Sequence, residues 1–328
     1  MNYQFEKFID KHIEEAVQLA LKELEAERVF CSELPVSDFE ERLKQILWWL
    51  GSQPYGKAAL CDGKLVGYLL FAGPWDGFFG DVKGVFSPLG GSAFSYECKE
   101  RGKLASMLLA EVAQEFGQDG IFSCALSRYA HDEEVAKSFV LNGFGIRCMD
   151  AVRDITGPSI PSVSSNVKYE ELERQQFCEV KHLQKGLNRH LHQAPIFFPL
   201  PEGGFDAWFS EWIKRDTMRI FVAKADERII GFISIIEEGE NFITEYPWMK
   251  NICGAYFEEA YRGCGISQGL LNFVCDTLVE EGSVCLGVDC ETMNPTALRF
   301  WEKYMVPYTY SFARRIDERI CGEQIGLC

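Results

Sequence analysis

Between Ile252 and Ser267 the sequence sets out an arrangement able to hold an anion. An apolar strand, Ile252 to Phe257, and a short turn, Glu258 to Tyr261, lead into Arg262-Gly263-Cys264-Gly265-Ile266-Ser267, where a helix opens. Ile266, Leu270, Leu271, Val274 and Leu278 recur at helical spacing and supply its buried face. The start of a helix has unpaired backbone N–H groups and the positive end of the helix dipole, so a basic, glycine-bearing turn there can cradle a pyrophosphate. Turns of this kind also simply join strand to helix, and the pattern alone leaves both readings open. Metal chemistry has less support. Thirteen cysteines run from Cys31 to Cys328 with no C-x-x-C pair, and the one close histidine pair, His190 and His192, has an i,i+2 spacing that sends the two rings to different helix faces. Both read as structural, and no metal site is expected.

These groups need a scaffold, and its parts recur. Phe5 to Val29 reads as an amphipathic helix, and a second runs from Asp38, a plausible N-cap, to Gly51. Lys57–Cys61 and Leu65–Phe71 flank Asp62-Gly63-Lys64 as a hairpin. A second hairpin, Arg219–Lys224 with Ile229–Ile236, follows a tryptophan-bearing helix, Phe205 to Lys214. Arg101-Gly102-Lys103-Leu104-Ala105-Ser106 aligns with the turn at Arg262–Ser267 at an offset of 161, Gly67 answers Gly231, and Phe139 answers Phe300, all within offsets of 161 to 164. Such constancy implies two copies of one α/β unit. The Pro/Ser/Gly-rich stretch Gly157–Ser165 marks the boundary, giving domains at 1–156 and 169–328 with a linker at 157–168.

The chain of 328 residues is 47% hydrophobic and 25% charged, with a formal net charge of -16. A surplus of acidic groups repels phosphate-rich polymers, so nucleic acid is not an expected partner. No apolar run reaches the roughly 18 residues of a membrane helix, and no export signal opens the chain. A cytoplasmic protein with reduced thiols is expected, without a membrane partner.

Arg262-x-x-Gly265-x-Ser267 resembles the R/Q-x-x-G-x-G/A turn with which the GNAT acetyltransferase superfamily holds the pyrophosphate of acetyl-CoA. Downstream, Val288–Asn294 and Asn294-Pro295-Thr296-Ala297-Leu298-Arg299-Phe300-Trp301-Glu302-Lys303 are similar to that family's strand and N-x-x-A-x-x-F-Y-x-K helix along the pantetheine arm. The resemblance covers about residues 215–318. It implies two tandem GNAT-type domains, each a mixed, mostly antiparallel sheet flanked by helices. It also implies that the backbone of Ala255, Tyr256 and Phe257 bonds the pantetheine and thioester, that Arg262, Gly263, Cys264, Gly265, Ile266 and Ser267 surround the pyrophosphate, and that Asn294, Ala297 and Trp301 line the cofactor arm. Ser267 stands where the family prefers Gly or Ala. Trp301 stands where many members carry a tyrosine that protonates the departing thiolate, and an indole cannot act as that acid at neutral pH. Tyr304, on the same helix, is the candidate substitute, with Tyr308 or Tyr310 beyond it. A base must also free the acceptor amine of its proton. Glu245 is carried as that candidate among Glu245, Glu258, Asp289 and Glu291, none of which sequence position singles out.

In the first copy Leu104 replaces the central glycine of the turn and Glu133 replaces Asn294, so residues 1–156 read as a degenerate GNAT-like domain that has lost CoA binding. The implied activity is N-acetyl transfer from acetyl-CoA directly to a small-molecule or peptide amine, without a metal. The alternative is a non-catalytic acyl-CoA sensor or interaction protein. Trp208 and Trp212 share a helix face that suits either a core or an acceptor pocket. The aromatic, proline-rich loop Gln193–Gly204 is a candidate acceptor-side lid.

Overall fold

The computed structural model describes residues 2–114, 116–161 and 166–321. Along them run β1 (Gln4–Lys7), α1 (Ile13–Phe30), α2 (Glu40–Gly51), β2 (Tyr55–Cys61), β3 (Lys64–Trp75), β4 (Lys83–Ser87), β5 (Ser92–Phe94), α3 (Arg101–Ala113), β6 (Ile121–Tyr129), α4 (Glu133–Leu141) and β7 (Gly145–Asp154). There follow β8 (Lys168–Glu171), α5 (Lys181–His192), α6 (Phe205–Trp212), β9 (Arg219–Ala225), β10 (Arg228–Ile236), β11 (Met249–Phe257), α7 (Ile266–Glu280), β12 (Cys285–Glu291), α8 (Pro295–Tyr304) and β13 (Val306–Arg315). Among the described residues no helix is long and apolar enough to cross a membrane.

Two compact units result. Among the described residues the first holds 2–32, Val36–Met149 and 307–321; the second holds Glu33–Pro35 and Asp150–Val306. This division lies elsewhere than at 157–168: the stretch 157–161 and 166–168 falls within the second unit, and 162–165 lie outside the described residues. Strand pairing supplies the reason. In the first unit the order is β1-β2-β3-β4-β6-β13, with β5 against β3. One of its strands comes from the far end of the chain: β13 pairs antiparallel with β6 from Thr309↔Tyr129 to Arg315↔Ser123, and Ser127 and Ser311 join their hydroxyls at 2.8 Å. In the second unit the order is β8-β9-β10-β11-β12, and β12's other neighbour is β7, which enters this unit at Asp150. Each sheet is mixed and mainly antiparallel, with β4–β6 and β11–β12 as parallel pairs.

Both hairpins form, on tight turns whose residues take positive φ: Asp62 at 51° and Gly63 at 78° in one, Asp226 at 47° and Glu227 at 62° in the other. The N-cap of α2 is Phe39 and not Asp38, which lies one residue earlier and accepts at Oδ1 from the Glu40 amide at 2.9 Å. The first helix requires correction. Gln4–Lys7 form a strand on β2, from Gln4↔Leu60 to Lys7↔Lys57, because that pairing satisfies their backbone and sinks Phe8 into the core; helix begins at Ile13. The first unit's core gathers Leu69, Phe71, Phe94, Leu104, Leu108, Phe139 and Phe312. The second unit's gathers Phe177, Leu183, Phe209, Trp212, Ile220 and Phe232, which settles Trp212 as a core residue.

Candidate functional site

The site grows from a strand that changes partner. β11 is antiparallel to β10, but the register runs Ser234↔Gly254 and then Ile235↔Ile252, so Cys253 has no counterpart and bulges. On its other edge β11 is parallel to β12 from Met249↔Cys285 only as far as Ile252↔Val288, although β11 continues to Phe257 and β12 to Glu291. The two strands therefore fork, and the backbone edge of β11 from Cys253 onward loses its ladder. A cavity of about 130 Å³ occupies the fork, lined by Cys253, Gly254 and Ala255 on one strand and by Asp289, Cys290 and Glu291 on the other.

Beyond the fork the chain enters the glycine turn. Gly263 and Gly265 have φ of 76° and 87°, a conformation that costs a residue with a side chain about 1–2 kcal/mol. Gly265 is the N-cap of α7 and offers no side chain to the first-turn amides, which stay available to a ligand. A Cβ added to Gly263 would meet no protein atom within 4 Å. Arg262 donates from Nε to the Phe257 carbonyl at 2.8 Å and lies over the Tyr256 ring at 5.0 Å. The turn opens on a larger cavity of about 260 Å³ that reaches Ala255, Arg262, Ser267, Asn294 and Trp301.

Two helices close the site. α8 is capped by Asn294, whose Oδ1 accepts from the Ala297 amide at 3.3 Å and the Thr296 hydroxyl at 2.9 Å, with Pro295 at a position that needs no amide. α5 approaches β11 closely because Gly186 has no side chain: a Cβ there would lie 2.8 Å from the Tyr256 ring. Leu187, His190 and Leu191, spaced at i, i+3 and i+4, face the cavities, and the Nε2 of His190 lies 3.1 Å from Asn294 Oδ1. The spacing argument about the histidines held, since His192 turns to the Phe198 carbonyl instead, while His190 meets the α8 cap and the cavity wall.

Two carboxylates, Glu291 and Asp289, line the fork, and Asp289 is the one whose ionisation its surroundings oppose. Protein crowds it while its surface opens to the recess; that crowding, then the nearby Glu240 and Asp150 carboxylates, raise its pKa to about 7. Burial likewise pushes the Cys253 thiol up to about 11, keeping it neutral.

Of the residues expected at the site, Ala255, Tyr256, Phe257, Arg262, Gly263, Ser267, Asn294, Ala297 and Trp301 all line the larger cavity. Gly265 and Ile266 form the turn and first helical residue, and Cys264 is exposed with its thiol donating to the Tyr261 carbonyl. Trp301 is buried and lines both cavities. Tyr304 and Glu245 line neither: the Tyr304 hydroxyl accepts from Gln268 Nε2 at 3.0 Å, and Glu245 is exposed between β10 and β11.

The first unit has filled the corresponding ground. Here α3 begins at Arg101 itself, so the stretch answering the glycine turn is already helix, and Leu104 is in the core. The Glu134 carboxylate accepts from the Gly102 amide at 2.9 Å, an internal anion at the helix start. Arg101 turns inward to Asp132 at 2.8 and 2.9 Å and Glu23 at 3.1 Å; Arg128 meets Glu23 at 2.8 Å and Asp132 at 2.6 Å. Asp132 precedes α4 as Asn294 precedes α8, so cap against cap it is Asp132, rather than Glu133, that answers Asn294.

Sheet, fork and glycine turn together make an α/β unit with one cavity at the fork and turn. The model of the acetyltransferase (GNAT) family matches residues 187–305, and this stretch is a GNAT acetyltransferase domain. No curated protein matches the chain in sequence. Among solved structures, a GCN5-related N-acetyltransferase from Sphaerobacter thermophilus is similar over 95% of both chains at 13% identity with a TM-score of 0.59. The GCN5-related glucosamine N-acetyltransferase region of a fungal multi-domain GH3 beta-N-acetylglucosaminidase is similar over 95% of this chain and 38% of that one, at 14% identity and a TM-score of 0.51. Identities this low speak for the shared fold alone.

Proposed function

We propose that the second unit is an N-acetyltransferase that passes the acetyl group of acetyl-CoA directly to an amine. GNAT membership supports acyl transfer in general. The observation that carries the finer reading is that the forked edge of β11, the glycine turn of α7 and the cap of α8 all open on one cavity. Free first-turn amides and the open space at Gly263 fit a pyrophosphate, so Gly263, Gly265, Ile266 and Ser267 would hold it, with Arg262 beside them. Asn294, Ala297 and the backbone of Ala255–Phe257 would hold the pantetheine arm, those amides doubling as oxyanion donors. When bound, acetyl-CoA supplies the thioester to be attacked. Asp289, in the smaller recess with a pKa near 7, is better placed than Glu245 to take the acceptor's proton. The first unit, its anion slot occupied by Glu134, would not bind CoA. The acceptor is a small-molecule or peptide amine in a cytoplasmic setting, where the described cysteines stay free.

Trp301 favours one rival, an acyl-CoA sensor without turnover. Calorimetric titration of acetyl-CoA into the full chain and into Gly265→Leu tests the shared claim: binding to the wild type and its loss in the variant are expected, while no wild-type binding overturns both readings. CoA release on adding amines then separates enzyme from sensor.

A further inference from the structure

We propose that His190 is the acid that protonates the departing CoA sulfur, a role that rests on the acetyltransferase reading above. The two cavities share Leu187, Ala255, Asn294, Ala297 and Trp301, so these residues mark the junction where a donor in the larger and an acceptor in the smaller meet. A proton for the leaving sulfur has to be delivered there. Trp301 cannot provide it, and Tyr304 is turned away to Gln268. His190 lines the larger cavity one helical turn from Leu187 and touches Asn294, two of the junction residues.

The bond to Asn294 fixes which ring nitrogen does the work. Asn294 Oδ1 already accepts from the Ala297 amide and the Thr296 hydroxyl, so it is the oxygen and not the amide nitrogen that faces the ring. An amide oxygen only accepts, hence Nε2 of His190 carries a proton in every charge state. Nδ1 is then the sole nitrogen that gains and loses a proton, and it has no hydrogen-bond partner among the described residues.

In the step, the acceptor nitrogen forms its bond to the acyl carbon and the C–S bond breaks with its electron pair on sulfur. The Nδ1 proton of His190 goes to that sulfur. The proton lost by the acceptor nitrogen goes to Asp289, and His190 is reprotonated from water.

The test is nitrogen NMR of the full chain labelled at histidine, with His190→Gln assigning the signal. Gln keeps a donor for Asn294 but has no titrating nitrogen. Neutral His190 is expected with hydrogen on Nε2. CoA is expected to shift its Nδ1 resonance, and desulfo-CoA, lacking the thiol, to bind without that shift; His190→Gln should still bind CoA. Binding without a difference between the two probes, or a neutral ring with its hydrogen on Nδ1 and none on Nε2, overturns the role of His190 alone. Calorimetry showing no CoA binding to the wild type retires the donor-site reading together with it.

Discussion

Asp132→Ala should unfold the first unit far more readily than its single lost side chain suggests. Asp132 is 7% exposed and takes three hydrogen bonds, at 2.8 and 2.9 Å from Arg101 and 2.6 Å from Arg128. Its removal strands two guanidiniums, 6% and 1% exposed by residue, against the one carboxylate of Glu23. Breaking a buried ion pair from one side costs about 3–5 kcal/mol. For a unit of this size each kcal/mol is worth about 2–4 °C, so the unit's midpoint should fall by roughly 10 °C. Asp132→Ala with Arg101→Met removes one charge of each sign and leaves Arg128 with Glu23, so most of the loss should return. Hydrogen exchange of the α3 and β6 amides reads this unit separately from the other. A loss below about 1 kcal/mol in the single variant, or no recovery in the double, would refute the balanced quartet. Acid provides a second check. Burial pushes Asp132 up, yet Arg128 and Arg101 outweigh it and hold the carboxyl below its usual range. Its stability contribution is therefore present above the unfolded carboxylate value and lost as pH falls through the lowered one. Burial moves Glu23, held by the same two guanidiniums, the opposite way.

Gly263→Ala should cost about 1 kcal/mol through its positive φ, with no clash inside the protein, yet weaken CoA about tenfold or more by occupying the anion's space; unchanged affinity by calorimetry would sink the turn's role. Asp289→Asn should lower turnover about 10²–10⁴-fold. Because Asp289 must be ionised to accept a proton, the wild-type rate should rise with pH through about 7 and then level, and the variant should lose that inflection; its persistence in a pH–rate profile counts against Asp289. Phe197→Ala with Phe198→Ala, in the loop between α5 and α6, should alter the acceptor KM and spare CoA affinity, and an unmoved KM removes the loop as a lid.

What could be read from the sequence was local. Arg262–Ser267 and Asn294–Trp301 each occupy one continuous stretch, so turn and capped helix were visible in residue order. The bulge at Cys253 was not, because it is a mismatch between β10 and β11 and belongs to neither strand alone. His190 was read only against His192 because its partner Asn294 lies 104 residues away; the clue to the cavity was the Leu187, His190, Leu191 stripe. Asp289 and Glu245 looked alike as carboxylates near strand ends, and only the fork tells them apart. Phe5–Lys7 were part of a helical rhythm that pairing with β2 overrode, since an edge ladder satisfies their backbone better than a frayed helical turn.

β13 adds a consequence for how the molecule is made. Synthesis runs from the N-terminus, so β6 leaves the ribosome long before the strand that covers it, and its edge has to wait as a nascent-chain template open to wrong pairing. Nor can the gene be cut at the Pro/Ser-rich stretch into two autonomous halves: the upstream piece would lack β13 and the downstream piece would lack β7. Expression of either half should call for the missing strand to be supplied in trans, and mixing the two fragments should rescue both.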